Sequence, residues 1–599
     1  MPFLIKLSLQ IFTLRQFFIL SIINIRDMEI INNYKSYKQY LPQYANWRDE
    51  QDLARAKRLE YLKQNPDKMN EKDIERGKIL LHAIDVMDEY SQANAEDMEV
   101  ATEFAKVQVV ELANFAGMGA GFALLGLKGV KNWIAKASRG NKTTEMIFSM
   151  LPSVIGMLVG TAAAFPAIMW ATKAKVSASR RGRFEAMNND LKNPAAFAVL
   201  TPEQQQKANE LAKDIQLEDR DKKRLKQNSG FNLNPMDSIR TLKKYFKGDE
   251  EYKAQKAEFD KTLQESEAKF GSSVDEKQIR SAKCDQQILA DMVRRMDVAS
   301  QDYAENTELA TNTMTTLSLG TGGLVGWVSN KLMNAMKISG GKWAKFIPWG
   351  IGAAIPLGMG IYAAKAQKQA SRIGRYKVKQ EMLNNPAELV YVDDKETESM
   401  KDVKLPERAK KLNIFKFFVQ LLKDNKEYTK YMKTKGEAEL KLHKAVEKLE
   451  LSPEQLRQAK ALQNNVFKTF NKVDEKSQTY SESVEAMGEV TKQGVASFGA
   501  LGAMGVSVYQ FAKMMKNPAA MESSIIKTVA KTMMPFAFVL LPVIGIDIYT
   551  TKAQKKASRI ADMLALNELK DYRHYVDYSA KTSEEKMPAQ SNLLERFNA

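Results

Sequence analysis

The chain has 599 residues, 44% of them hydrophobic and 27% charged, and its mean hydropathy of -0.40 limits any membrane portion to a minority of the residues. Its single cysteine, Cys284, excludes an internal disulfide framework, and its three histidines lie far apart in the sequence with no metal-ligand spacing. The net charge of +18 makes nucleic acid, anionic lipid and acidic proteins candidate partners.

Residues 1–27 form an apolar N-terminal extension. It resembles a secretory signal only loosely, because Lys6 and Arg15 interrupt the apolar residues and no small-residue cleavage site follows. Met28 is an alternative start, and a chain that starts there would lack the extension. An interfacial membrane anchor is the competing interpretation.

A short basic segment, which we call the basic motif, occurs three times. It reads KAKVSASRRGR from Lys173, KAQKQASRIGR from Lys365 and KAQKKASRIAD from Lys552. Its arginines Arg180, Arg372 and Arg559 are 192 and 187 residues apart, and such near-constant spacing indicates internal duplication. The sequence therefore predicts three repeats, residues 28–230, 231–410 and 411–599.

Each predicted repeat contains two apolar runs, which we interpret as a helical hairpin. The predicted hairpins are 107–172, 309–364 and 493–551. Most of the runs reach the roughly 20 residues that a helix needs to cross the hydrocarbon of a bilayer. Before each hairpin comes an acidic, helix-prone stretch, and the three stretches start at Asp88, Met296 and Ser477.

No segment shows the alternation of a strand, so the predicted fold class is all-α. We predict an integral membrane protein of three repeats, each a transmembrane helical hairpin flanked by long charged extramembrane helices. Tryptophans near the ends of the runs favour this interpretation, as in an interfacial aromatic belt. So do glycines four residues apart, which let membrane helices approach closely. These helix-packing pairs are Gly117 and Gly121, Gly156 and Gly160, and Gly322 and Gly326.

The alternative is that the apolar runs are core helices of a water-soluble bundle, which the same glycine spacing also suits.

The helix that carries the basic motif has a marked end in two of the repeats. Asn193-Pro194 and Asn385-Pro386 follow the first two motifs and should end their helices, whereas the third motif is followed by no such stop.

The lysine and arginine of the basic motif are seven residues apart and fall on one stripe of a helix, while two alanines such as Ala366 and Ala370 form a second face. We predict that an aromatic residue three positions before the lysine lies at the membrane interface. The lysine and arginine would then contact lipid phosphates or the acidic stretch before the hairpin; a solvated basic face is the alternative. The predicted membrane-interface residues are Trp170, Lys173, Arg180, Tyr362, Lys365, Arg372, Tyr549, Lys552 and Arg559.

The sequence favours a function without catalysis. No catalytic triad or paired-carboxylate setting stands out, and the glycine clusters lack the lysine and hydroxyl residue of a phosphate loop, so we predict no enzyme, no metal and no cofactor. Asp547 is the one ionisable residue well inside a predicted span and is the candidate residue of a transporter.

We therefore predict a non-enzymatic multi-pass membrane scaffold or anchor that presents charged helices at the plasma or inner membrane, with its long segments cytoplasmic. Its predicted partners are a bilayer with anionic headgroups and, in addition, a protein or a second copy; nucleic acid is disfavoured because no recognition module is present. The alternatives are a transporter or channel of three two-helix repeats, and a soluble all-helical interaction protein with buried apolar hairpins.

Overall fold

A computed structural model describes residues 25–125, 127–138, 177–219, 276–335, 347–407, 413–515 and 552–576, with a few single positions between these ranges. Of the described residues, 86% are helical and none lies in a strand, which confirms the predicted all-α class. The helices are α1 (Ile25–Gln64), α2 (Glu71–Leu125), α3 (Lys128–Ser138), α4 (177–188), α5 (Pro202–Asp214), α6 (Glu276–Ala335), α7 (Ile347–Asn384), α8 (Asp394–Thr397), α9 (Ile414–Tyr431), α10 (Glu437–Val446), α11 (Pro453–Met515) and α12 (552–568).

Three of these helices are unusually long. α2, α6 and α11 contain 55, 60 and 63 residues, so each extends over roughly 80 to 95 Å. No proline interrupts them, and Pro453 stands at the first position of α11, where a missing backbone N–H costs nothing. Each begins in charged sequence and continues into the first apolar run of a predicted hairpin.

The basic motifs lie on α4, α7 and α12, and each of these helices is followed by a 3₁₀ turn. The turns are Pro194–Phe197, Pro386–Leu389 and Tyr572–Tyr575. The first two follow the predicted Asn-Pro stops. In the third, where the sequence predicts no stop, the side chain of Asp571 accepts a hydrogen bond from the backbone N–H of Arg573 and starts the turn in place of a proline.

One large hydrophobic core joins the long helices to the motif helices. All six contribute fully or nearly buried apolar side chains, among them Leu80, Met87, Met187, Leu289, Met292, Met382, Val466, Phe470 and Leu566. These positions recur at helical spacing along α2, α6 and α11, so each long helix turns one face inward. The charged ends of the long helices therefore form a bundle with the motif helices.

Two glycines let helices cross with their backbones in contact. A Cβ atom added at Gly182 of α4 would lie 2.3 Å from the carbonyl oxygen of Tyr90, and one added at Gly374 of α7 would lie 2.4 Å from that of Ala299. No side chain fits at such distances. Hence α4 lies directly on α2, and α7 lies directly on α6.

Ion pairs attach α1 to the outside of this bundle. Glu388, in the turn after α7, accepts hydrogen bonds from Arg55 of α1 and from Arg295 of α6, the second at 2.9 Å. Arg294 of α6 donates to Asp52 of α1 at 2.6 Å. The N-terminal helix is thus held by carboxylates and arginines that belong to two other elements.

No helix within the described ranges is long and apolar enough to cross a membrane. The predicted integral membrane architecture, the multi-pass scaffold or anchor and the plasma- or inner-membrane location are therefore wrong. Polar residues explain the difference: the run 309–330 in α6 contains many threonines and serines, and the run from 112 is short and flanked by Glu111 and Lys128. The second runs, around 146–172 and 532–551, fall almost entirely outside the described residues.

Replacing Gly374 by alanine tests the backbone contact. We expect the free energy of unfolding, measured by urea denaturation, to fall by about 1 to 3 kcal/mol because α6 and α7 must separate. The control is Gly129→Ala in α3, where an added Cβ meets nothing within 4 Å. That variant should be unchanged or slightly more stable, since alanine favours a helix by up to about 1 kcal/mol. A Gly374→Ala protein as stable as the parent would contradict the contact.

A buried arginine and aspartate layer as the candidate functional site

The motif arginines contact acidic helices rather than solvent. Arg372 of α7 is buried and lies 3.0 Å from a carboxylate oxygen of Glu96 in α2. Arg559 of α12 is also buried and donates to Asp302 of α6 at 2.7 Å. These residues therefore do not face lipid phosphates.

The third motif arginine donates hydrogen bonds to uncharged side chains. Arg180 of α4 donates from Nε to Gln478 at 2.9 Å and from Nη2 to Thr479 at 3.1 Å, and both acceptors lie in α11. In all three cases the contacted stretch precedes a hairpin of a different predicted repeat. The sequence predicts that the motif contacts lipid phosphates or the acidic stretch before its hairpin, and in the structure each of these arginines contacts the stretch of another predicted repeat.

Two serine contacts and one glycine crossing place each motif helix against the long helix of its own predicted repeat. The hydroxyl oxygens of Ser179 in α4 and Ser91 in α2 are 2.6 Å apart, and Ser558 in α12 contacts Ser477 in α11 in the same way. The Gly374 crossing puts α7 on α6. One side of every motif helix is thus occupied by the preceding long helix.

Glutamines occupy the other side of two motif helices. Gln478 of α11 donates to Ser179 of α4, and Gln301 of α6 donates to Ser558 of α12, both at 2.7 Å. Arg372 makes the corresponding link from α7 to α2. The six helices therefore alternate around one axis in the order α2, α4, α11, α12, α6, α7 and back to α2.

A layer of buried charge lies inside this ring, one helical turn beyond the motif arginines. Arg183 of α4 pairs with Asp474 of α11 and lies 4.0 Å from Asp88 of α2. Arg375 of α7 lies 2.7 Å from Asp88 and 3.9 Å from Asp297 of α6. Each arginine thus bridges the carboxylates of the two long helices beside it.

The third position of the layer holds a carboxyl group. Asp562 of α12 stands where α4 and α7 carry arginine, and it shares a hydrogen bond with Asp297. Burial, followed by the charge of Asp297, raises the pKa of Asp562 well above its ordinary range. Burial also raises the pKa of Asp297, against the influence of Arg375 and Arg183. Two carboxyl groups this close to each other disfavour the ionisation of both.

At Asp88 and Arg183, burial and ion pairing also act on the pKa in opposite directions. Burial raises the pKa of Asp88 to about 6, although Arg375 and Arg183 oppose the rise. Burial likewise lowers the pKa of the Arg183 guanidinium to about 10, and the nearby carboxylates Asp88 and Asp297 oppose it. With its pKa at about 10, Arg183 remains charged at neutral pH and keeps its ion pair with Asp474.

A cavity of about 170 Å³ lies inside the ring next to this layer. Its wall includes Arg183, Arg375, Lys555 and Asp297, with the serines Ser300, Ser371, Ser477, Ser481 and Ser558. Asp297 keeps 22% of its side-chain surface accessible because it borders this space. This volume has room for several water molecules, so the cavity can solvate the charged layer from within.

The sequence contained a signal for the layer that the spacing of the basic motif did not reveal. Asp88, Asp297 and Asp474 each stand three residues before a Ser-Gln pair. The three aspartates are therefore equivalent positions on α2, α6 and α11. The predicted third acidic stretch starts at Ser477, so Asp474 lies just outside it.

The structure also brings together two histidines that lie far apart in the sequence. The rings of His82 in α2 and His443 in α10 are 4.8 Å apart between centroids. Nε2 of His443 is 2.7 Å from the backbone carbonyl oxygen of Asp190. Across the part of the chain that the structure describes, no group of three or more His, Cys, Asp or Glu side chains could hold a metal ion.

The remaining predicted site residues are scattered. Tyr362 is half-buried against Phe418, whereas Tyr549 and Lys552 are exposed. Lys365 lies in α7, and the glycine pairs Gly117 with Gly121 and Gly322 with Gly326 lie within α2 and α6. The residues that lie outside the described part of the chain are Gly156, Gly160, Trp170, Lys173 and Asp547.

Comparisons of the chain with protein-family models, with curated proteins and with solved structures give no match.

The Asp297–Asp562 pair predicts a stability that depends on pH. A carboxyl whose pKa is raised by folding stabilises the protein fully below its unfolded pKa, near 4, and that contribution is lost as the pH rises through the folded pKa. Asp562→Asn removes this titration while its amide can still donate to Asp297. We expect the variant to match the parent near pH 4 and to exceed its free energy of unfolding by about 1 kcal/mol or more at pH 7, measured by urea unfolding across that range.

Asp571→Asn is the matched control with the opposite sign. The side chain and backbone of Arg573 hold the pKa of Asp571 below its ordinary value, so its contribution is present above the unfolded pKa and lost as the pH falls. This variant should be the less stable one at pH 7. A parallel pH profile for Asp562→Asn and the parent would rule out the raised pKa of Asp562.

Proposed function

We propose that the chain is a non-enzymatic, all-helical interaction protein whose three sequence repeats, 28–230, 231–410 and 411–599, close into a ring. The observation that carries this proposal is the cyclic order of the contacts. The motif helix of the first repeat contacts the long helix of the third, that of the second contacts the first, and that of the third contacts the second. Each repeat thus contacts one other repeat in the same direction, and the contact of the first repeat with the third closes the ring.

The 3₁₀ turns support the same order. Phe197, in the turn after α4, packs edge-on against Phe467 of α11 with ring centroids 6.0 Å apart. Leu389, after α7, packs against Gly77 of α2, and the turn that contains Tyr575, after α12, packs against α6. Two independent sets of contacts thus connect each repeat to the same neighbour.

The chemistry of the basic motif favours assembly over catalysis. Its arginines lie against carboxylates, glutamines and hydroxyls of neighbouring helices, and these contacts join one helix to the next. Buried ion pairs are a poor source of net stability, but they penalise every arrangement that leaves a charge unpaired. We infer that the motif selects the order and register of the repeats, and that the ring then serves as a rigid support for surfaces that bind partners.

Charge reversal across one ring contact tests this function. Arg559→Glu places a carboxylate against Asp302, and we expect the free energy of unfolding to fall by about 2 to 4 kcal/mol. Asp302→Arg in the same protein should recover at least half of that loss. Asp302 is a suitable site because 44% of its side chain is exposed, so a longer arginine can extend into solvent. The control is Arg457→Glu, from an exposed pair with Glu454, which should change stability little.

The interaction role is measured in cells by proximity labelling with the full-length chain. We expect the set of labelled neighbours to be lost in Arg559→Glu, restored in the double reversal and unchanged in Arg457→Glu. Failure of the double reversal to restore stability would contradict the ring. Restored stability without restored neighbours would contradict the interaction role and point to chemistry at Arg559.

A further inference from the structure

An apolar stripe is exposed on the outer face of α9. Phe415, Val419 and Leu422 remain 57%, 56% and 45% exposed. Their spacing of four and three residues places them on one side of the helix, over two successive turns. Large apolar side chains gathered on one surface helix are typical of a docking site, whereas single ones are ordinary.

The helix that carries this stripe is firmly held on its opposite side. Phe417, Leu421 and Tyr428 are buried, and the ring of Phe417 lies 5.4 Å from that of Tyr303 in α6. Asp424, also buried, accepts a hydrogen bond from Lys377 of α7 at 2.6 Å. The stripe is therefore a fixed outward surface of the bundle.

Lysines surround the stripe. Lys426 continues it by one turn beyond Leu422, and Lys416 and Lys423 lie roughly 80 to 100 degrees round the helix from Phe415; all three are exposed. Lys430 is exposed one turn further on. From residue 413 to 426 the only acidic side chain, Asp424, is buried and paired, and Glu427 is the one exposed carboxylate of α9. With four exposed lysines against this one glutamate, the outer face of α9 combines apolar groups with a net positive charge.

The position of the stripe gives a second argument about its partner. Phe418 packs against Tyr362 with ring centroids 5.7 Å apart. Tyr362 lies at the end of the apolar run 346–364 of α7. The stripe is therefore at the apolar end of the motif helix, away from the charged layer.

We propose that α9 docks on the surface of an anionic lipid bilayer. Phe415, Val419 and Leu422 would enter the boundary between headgroups and acyl chains, and the surrounding lysines would bind lipid phosphates. A second copy of the chain is a poorer occupant, since two such faces would bring their lysines together. The contact uses one face of a surface helix and requires no helix that crosses the membrane. It rests on the proposed interaction function and names its partner.

The test is co-sedimentation of the full chain with vesicles of phosphatidylcholine alone or mixed with phosphatidylserine. We expect binding to the mixed vesicles only, weakening as salt is raised. Replacing Phe415, Val419 and Leu422 together by glutamine should reduce binding tenfold or more while leaving thermal unfolding unchanged. Replacing Lys416, Lys423 and Lys426 by glutamine should cost about fivefold per lysine. The control is Leu456→Gln on α11, an exposed leucine outside the stripe, which should bind as the parent does.

Several outcomes would overturn the inference. These are a parent chain that ignores anionic vesicles, a stripe variant that binds them as well as the parent, and light scattering that shows a dimer abolished by the stripe variant. The last result would assign the stripe to a second copy. None of them affects the charge-reversal test at Arg559 and Asp302, so failure here and failure of the ring are distinguishable.

Discussion

The need to neutralise buried carboxylates determines how this molecule is assembled. Asp88 and Asp474 lie in the interior, where an unpaired carboxylate would cost several kcal/mol. An arginine can serve two carboxylates at once because its guanidinium presents several donors in one plane. Arg375 does so between Asp88 and Asp297. Of the three motif helices, α4 and α7 lie between two acidic helices in this way. Arg559 of α12 pairs with Asp302 of α6 and completes the alternating ring.

The ring is symmetric in its order but not in its charges. Asp562 places a second carboxyl group beside Asp297 where an arginine would otherwise stand, and this charge together with burial raises the pKa of Asp562. The polar cavity lies against this same position and gives Asp297 partial access to solvent. The Asp297–Asp562 pair, which lacks the arginine of the other two positions, therefore also borders the polar cavity. A change of pH can alter the helix packing at this pair.

The sequence was sufficient to predict the helical class and the two Asn-Pro helix ends, because both follow from local patterns. It could not identify the inner layer, since periodicity does not tell which carboxylate of an acidic stretch points inward, and Arg180 meets its partners nearly 300 residues away. The third turn was missed because Asp571 replaces the usual proline. The membrane prediction failed because glycine, alanine and threonine at close-packing spacing suit soluble and membrane helices alike.

The structure separates two uses of positive charge that the net charge of +18 conceals. Arginines supply the buried contacts, where a fixed planar group can satisfy several partners, whereas lysines supply the exposed face of α9, where a hydrated ammonium on a flexible chain is easily accommodated. The buried set specifies which helices are neighbours. Because that set holds α6 and α7 together, it also fixes the platform on which Phe417 and Leu421 anchor α9. Any partner that binds the outer face of α9 therefore depends on charges that it never touches.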